Sequence, residues 1–226
     1  MLKRVESGII GLDEVLHGGF PESSVIYVAG EAGTGKTTFA AQFLFHGAKK
    51  GEKGLYVTGI SEAVSSIKRF MSNYSFYDEK VITDGILKFW DLANVITPDF
   101  PERGLKNIDA VVRDVQPKRV VIDPLPASYL FNSVLDYRRF LYKLFGTLKN
   151  LNTTVLAVGE KSSASGIETY MADSVIHLSL KPLENLLQYR NLLQVKKMRG
   201  TSHTKELLAL ETTEDGLRIF KVGRIL

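Results

Sequence analysis

A glycine-rich run, GEAGTGKT at residues 30–37, holds the side chains best suited to chemistry in this chain. It fits the spacing G-x-x-x-x-G-K-[ST], in which glycines let successive backbone N–H groups curl inward around an anion. Gly30, Glu31, Ala32, Gly33, Thr34 and Gly35 would wrap the phosphates of a nucleoside triphosphate, and Lys36 would reach the β- and γ-phosphates as a point charge. The Thr37 hydroxyl is spaced to coordinate a magnesium ion, and Thr38 to add a hydroxyl at the α-phosphate. A glycine turn with no ligand is the alternative, and context weighs against it. An apolar run, VIYVA, precedes the loop and an amphipathic stretch follows, so the loop would deliver its ligand to a helix N-terminus carrying roughly half a positive charge.

A carboxylate is needed to complete a magnesium shell, and RVVID at 119–123 supplies one at the end of a hydrophobic run, Asp123. Strands often end in Asp for turn reasons, so Asp123 gains its meaning from the loop upstream. The elements that would carry both residues alternate. Residues 25–29 read as a buried strand, 37–50 as a helix stopped by Gly51, and 55–58 as the next strand. A helical stretch near 62–71, a strand at 87–91, the run TPDFPERG as a loop, and a helix with Leu105, Ile108, Val111, Val112 and Val115 in phase come next. Residues 119–122 form a strand, 137–149 a helix and 154–158 a strand. Beyond Asp173, SVIHLSL, LLQVKKM, LLALET and GLRIF read as antiparallel edge strands. The fold class expected is therefore α/β: a mostly parallel central sheet flanked by helices, with antiparallel strands at its C-terminal edge.

The chain has 226 residues, a length at which one core is expected rather than two, so residues 1–226 read as a single domain. Hydrophobic residues at 44% and charged residues at 24% are the balance of a packed globular chain. Cysteine is absent, which excludes disulfides, thiolate metal sites and cysteine nucleophiles. No stretch reaches the length of a membrane span and the first residues lack a secretory signal, so a cytoplasmic protein without membrane contact is expected. The formal charge of +4 comes from 29 basic and 25 acidic residues without a long basic run, and reads as a mixed solvated surface.

Five motifs in order, SGIIGLDEVLHGGFPESS, GEAGTGKTTFAAQFL, RVVID, SGIETYMADSVIHL and KMRGTSH, closing on TTEDGLRIF, make the chain resemble the KaiC-like branch of the RecA superfamily of P-loop ATPases. The resemblance runs nearly end to end. It implies a RecA-like P-loop core that binds ATP, and its product ADP, with Mg2+. It also implies a homo-oligomeric ring, for example a hexamer, with nucleotide between neighbouring subunits. Lys197 and Arg199 match the lysine and arginine that approach the γ-phosphate of the adjacent subunit in that family, and His203 matches a histidine near the same phosphate. On a strand Lys197 and Arg199 point to one face; without the family match they would read as an ordinary solvated face. His17, His46 and His177 read as structural.

Two departures from the family bear on mechanism. Its adjacent pair of glutamates after the second strand, one of which orients or deprotonates the attacking water, falls here at Ile60 and Ser61, and neither side chain accepts a proton at neutral pH. Glu62 comes one residue late, and on a helix that offset swings a carboxylate by about 100°. It reads more simply as an acid at a helix N-terminus. Glu160, ending VLAVGE, is the other carboxylate that could orient water or sense the γ-phosphate. Pro124 stands where related chains usually have a hydroxyl residue, removing an N–H and holding Asp123 extended.

The expected function is a slow or impaired ATPase. A nucleotide-gated regulatory or scaffold protein is the alternative, acting on a protein partner that the sequence does not name. A recombinase-like protein on single-stranded DNA ranks below both. PLPASYLFNSVLD has no cation and EKSSASGIETYMAD only Lys161, where phosphate neutralisation needs several. GTP is disfavoured by the absence of a guanine-reading N-K-x-D run.

Overall fold

The computed structural model describes residues 2–59, 63–92, 100–160, 166–182 and 189–221. A two-stranded ribbon opens the chain, β1 (Arg4–Val5) against β2 (Phe20–Pro21), with a short helix α1 (Leu12–Val15) between them. Strand and helix then alternate through β3 (Val25–Gly30), α2 (Lys36–Lys49), β4 (Gly54–Thr58), α3 (Val64–Met71), α4 (Glu79–Thr83), β5 (Leu87–Asp91), α5 (Phe100–Val115), β6 (Arg119–Asp123), α6 (Val134–Asn150), β7 (Thr154–Glu160) and α7 (Ile167–Met171). The strands β8 (Ser174–Pro182), β9 (Tyr189–Met198), β10 (Leu207–Thr213) and β11 (Gly216–Lys221) complete the order.

Nine strands make one sheet in the order β11-β10-β9-β8-β3-β7-β6-β4-β5. From β8 to β5 all pairs are parallel, and from β8 outward to β11 all are antiparallel, as the alternation of elements predicts. Side chains of β3 alternate between two cores: Ile26 and Val28 pack with α2, while Val25, Tyr27 and Ala29 pack with α5 and α6. Because β3 sits between β7 and β8 while its own crossover leads to β4, its C-terminal end opens at a reversal of strand order. In open α/β sheets that is where ligands bind.

Several boundaries differ from the sequence expectation. Part of TPDFPERG is helical: α5 starts at Phe100, with Pro101 in the first turn, where a missing N–H breaks no bond. The helix expected at 137–149 starts at Val134, because the Ser133 Oγ accepts the Asp136 N–H at 3.1 Å and caps it. The stretch near 62–71 is helical from Val64, Glu62 itself lying outside the described residues. No helix among the described residues is long and apolar enough to cross a membrane.

Arg119 opens β6 fully buried, at 1% exposure. A buried guanidinium is tolerated only when its donors are matched. Here Nε bonds the Glu52 carboxylate, Nη1 donates to the carbonyls of Glu6 at 2.8 Å and Phe43 at 2.9 Å, and the ion lies over the Phe43 ring at 4.6 Å. The N-terminal segment is thereby tied to α2 and β6. Glu6 adds a second tie through its carboxylate, which contacts His46 Nε2 at 2.7 Å and the Lys50 ammonium. Those two hydrogen-bond donors, Lys50 first, hold the Glu6 carboxyl down at about 2.

Two outcomes follow for stability. A methyl group at Gly47 would sit 2.3 Å from Arg119 Nε, so Gly47→Ala should lower unfolding stability by about 1–3 kcal/mol in urea, against the gain of about 1 kcal/mol that helix propensity alone would give. The depressed Glu6 carboxyl stabilises the fold fully above its ordinary value of 4.5, and that contribution is lost as pH falls toward about 2. Glu6→Gln should therefore show a smaller drop in urea midpoint between pH 6 and pH 3 than the parent chain.

Candidate nucleotide-binding site

The loop from Gly30 to Gly35 links the buried strand β3 to α2, and its backbone selects its residues. Gly33 and Gly35 have φ of 77° and 90°, where a side chain is strained, and a methyl at Gly30 would meet the Leu178 carbonyl and the Thr34 hydroxyl, both at 2.7 Å. Thr34 Oγ1 donates to the Glu31 carbonyl at 2.8 Å and closes the turn from within. Helix α2 begins at Lys36 with Gly35 as its cap; no side chain caps it and no acidic residue stands in its first turn. Its first N–H groups and its dipole therefore face outward without an internal anion, the arrangement that receives phosphate. Ala32 is exposed, and Thr38 is buried on α2.

Lys36 Nζ folds over the loop and donates to the carbonyls of Gly30 and Glu31, each at 2.8 Å. Burial pushes its ammonium below the ordinary value, while the carboxylates of Asp123, Glu160 and Glu31 oppose that shift. Asp123 ends β6 opposite Thr58 of β4. Burial pushes its carboxyl up, and hydrogen bonds from the hydroxyls of Tyr56 (2.7 Å) and Thr37, with the nearby Lys36 charge, pull it back down. The peptide bond to Pro124 is cis. Thr37 and Asp123 thus meet, two hard oxygen donors in mutual contact. Among the described residues no cluster of three or more His, Cys, Asp or Glu could hold a metal alone. One carboxylate and one hydroxyl beside a phosphate pocket nevertheless suit magnesium, which takes its remaining ligands from phosphate and water.

Glu160 is exposed at the end of β7 and is paired in register with Gly30; its carbonyl accepts the Tyr27 hydroxyl at 3.2 Å. Ile60, Ser61 and Glu62 lie outside the described residues, as does Lys161.

Lys197 and Arg199 lie elsewhere. Strand β8 runs parallel to β3 with Leu178 beside Gly30, whereas Lys197 pairs with Val175 near the other end of β8. Three residues of strand, about 10 Å, separate Lys197's partner from the chain's own phosphate loop. Arg199 is not on the strand as expected. Strand β9 ends at Met198, a bulge adds one residue between Val195 and Lys197, and Arg199 begins the turn that follows. Both side chains still reach one segment. Lys197 Nζ donates to the carbonyls of Thr169, Tyr170 and Ala172, and Arg199 donates to the Asp173 carboxylate and the Tyr170 carbonyl. With Arg138 they line an open cleft of about 780 Å³. His203 is half-buried, its Nδ1 at 2.9 Å from the Thr204 carbonyl.

Some contributing residues carried no motif. Tyr56 was legible only as a strand residue, although a buried tyrosine on a central strand requires a hydroxyl partner. Of the aromatic residues on either side of α6, Phe131 packs into the core against Phe100, Tyr137 and Phe140, while Tyr129 and, on α7, Tyr170 are exposed. His46 serves the Glu6 contact, and His17 sits in a turn at φ 56°.

A family model for the KaiC ATPase matches residues 5–224. A UPF0273 protein of Thermotoga maritima is 33% identical over 97% of this chain and 97% of its own length, and one from Pyrococcus horikoshii is 32% identical over 100% and 99%. The circadian clock oscillator protein KaiC of Parathermosynechococcus lividus is 30% identical over 98% of this chain, which spans 43% of that protein. The crystal structure of a KaiC-like protein from Pyrococcus horikoshii superposes with a TM-score of 0.85 at 33% identity, covering 97% of this chain and all of that one. A RecA-like sheet, a phosphate loop at its switch point and these relatives agree: the chain belongs to the KaiC family of ATPases.

Proposed function

We propose that this KaiC-family chain holds ATP with magnesium on the loop from Gly30 to Thr37, between neighbouring copies of itself, and hydrolyses it slowly. The observation that carries the ATP site is the meeting of Lys36, Thr37 and Asp123 at an uncapped helix N-terminus. The first-turn N–H groups of α2 bind the phosphate oxygens, and Lys36 exchanges loop carbonyls for the β- and γ-phosphates. Thr37 and Asp123 hold the magnesium, which when bound neutralises charge between those phosphates.

The interface position rests on Lys197 and Arg199. Lys197 pairs with β8 too far from the phosphate loop for it or Arg199, which follows, to serve the loop of its own chain, and they open on a cleft that a neighbour's phosphates fit by charge. Hydrolysis needs a water aimed at the γ-phosphorus, the bond to ADP breaking as the new P–O bond forms and the water's proton passing to a base. Ile60 and Ser61 offer none. Glu62 lies outside the described residues, and Glu160, exposed near Lys36, is the carboxylate we assign to orient that water. The same two replacements favour the second reading, an ATP-held scaffold with turnover near background.

Magnesium-ATP binding by calorimetry should weaken about 10- to 100-fold in Lys36→Ala. Phosphate release followed over hours should exceed that of Lys36→Ala and fall about 100-fold in Glu160→Gln with ATP affinity unchanged. Release by the parent chain no faster than by Lys36→Ala would leave the scaffold.

A further inference from the structure

The stretch from Gly166 to Asp173, which carries α7, is unusually well bonded at its end. The Asp173 carboxylate accepts the backbone N–H of Val25 at 3.0 Å, Lys149 Nζ at 3.0 and 3.2 Å, and Arg199 Nη1 at 3.2 Å. Its backbone also donates to the Val25 carbonyl at 2.9 Å and accepts the Arg199 N–H at 3.0 Å. One residue thus joins the first residue of β3, the last turn of α6 and the turn after β9.

Just before it, α7 is locked from the other side. Tyr137 of α6 donates to the Glu168 carboxylate at 2.6 Å, both residues being buried. The carbonyls at the C-terminal end of α7 are the ones that Lys197 occupies. Among the described residues the side chains of the two cations hydrogen-bond only within the stretch 169–173, and Asp173 ties that stretch to the sheet through Val25.

We propose that Asp173 is a positioning residue that aims Lys197 and Arg199 at the nucleotide of a neighbouring copy, acting on the neighbour's site and not on its own. This rests on the interface reading above. Two effects of the carboxylate compete. It lowers the net charge offered to phosphate, and it fixes where Arg199 points. The second prevails when the cations must meet phosphate oxygens in one geometry, because a misplacement of about 1 Å can cost 100-fold in a positioned contact. A carboxylate serving only to anchor β3 through Val25 would act within its own chain, and this difference can be measured.

The test follows release of a fluorescent, non-hydrolysable ATP analogue with magnesium, so it does not depend on turnover. Arg199→Ala and Asp173→Asn should each release the probe about tenfold faster than the parent chain. Each is then co-expressed with Lys36→Ala chains, whose loop is left empty at a probe concentration that fills the parent loop but whose Asp173, Lys197 and Arg199 are intact. Slow release should return in both mixtures, since the intact loop of one chain meets the intact cations of the other. Recovery for Arg199→Ala but not for Asp173→Asn, or release from Asp173→Asn at the parent rate, would overturn the proposal. Failure of Arg199→Ala to recover would instead remove the interface reading on which it rests. If Asp173→Asn does not fold, Asp173→Glu carries the same test: the charge stays, the carboxylate moves by one methylene, and fast release with recovery in the mixture is again expected.

Discussion

The first turn of α2 carries neither a capping side chain nor an acidic residue, and this omission governs the rest of the site. Most helices satisfy those N–H groups from within or leave them to water. Here they are presented by a loop whose glycines keep side chains out of the concavity, and the surrounding structure supplies what an anion would need next. Lys36 is near enough to follow the phosphate, and Asp123 is close enough to Lys36 and Thr37 to share a cation. The carboxylate is half-buried, and two hydroxyls and an ammonium pull its carboxyl down against the rise that desolvation causes. Burial, opposed by these neighbours, raises the Asp123 carboxyl and lowers the Lys36 ammonium, and a bound magnesium nucleotide would oppose both shifts further.

How much of this was legible in the sequence depended on the distance over which each cause acts. The loop could be read because its spacing is its mechanism: glycine conformations, lysine and hydroxyl lie within eight positions. The parallel sheet could be read because each buried strand is a short apolar run between amphipathic stretches. Arg119 could not. Its burial depends on a carbonyl at Glu6, 113 positions away, and on a glycine in α2 that leaves room for the guanidinium. A charged residue opening RVVID looks like a surface residue until those partners are known. Arg199 was read one residue too far along the strand, since β9 ends at Met198 and Arg199 opens the turn that follows, its N–H meeting the Asp173 carbonyl 26 positions away. The start of α6 was missed because Ser133 caps a helix whose first residues, Val134 and Leu135, are exposed and show no apolar phase.

The region around α7 has a logic of its own. Lys197 and Arg199 are held by carbonyls and one carboxylate, each replaceable by a phosphate oxygen. Such cations are kept extended and ordered at modest cost, because the contacts they give up resemble the contacts they would gain. A lysine left free in water would have to lose more side-chain entropy on meeting the same ligand.

Strand order has a further effect on how the chain comes into being. The strand bearing the phosphate loop leaves the ribosome well before the strands that flank it, Val155 and its neighbours on one side and Ser174 and its neighbours on the other. At about 5–20 residues per second, on the order of ten seconds pass before either edge of VIYVAG can be covered. During that interval the most apolar strand of the sheet is exposed on both edges. The nascent chain is then most open to wrong pairing at the segment on which nucleotide binding later depends.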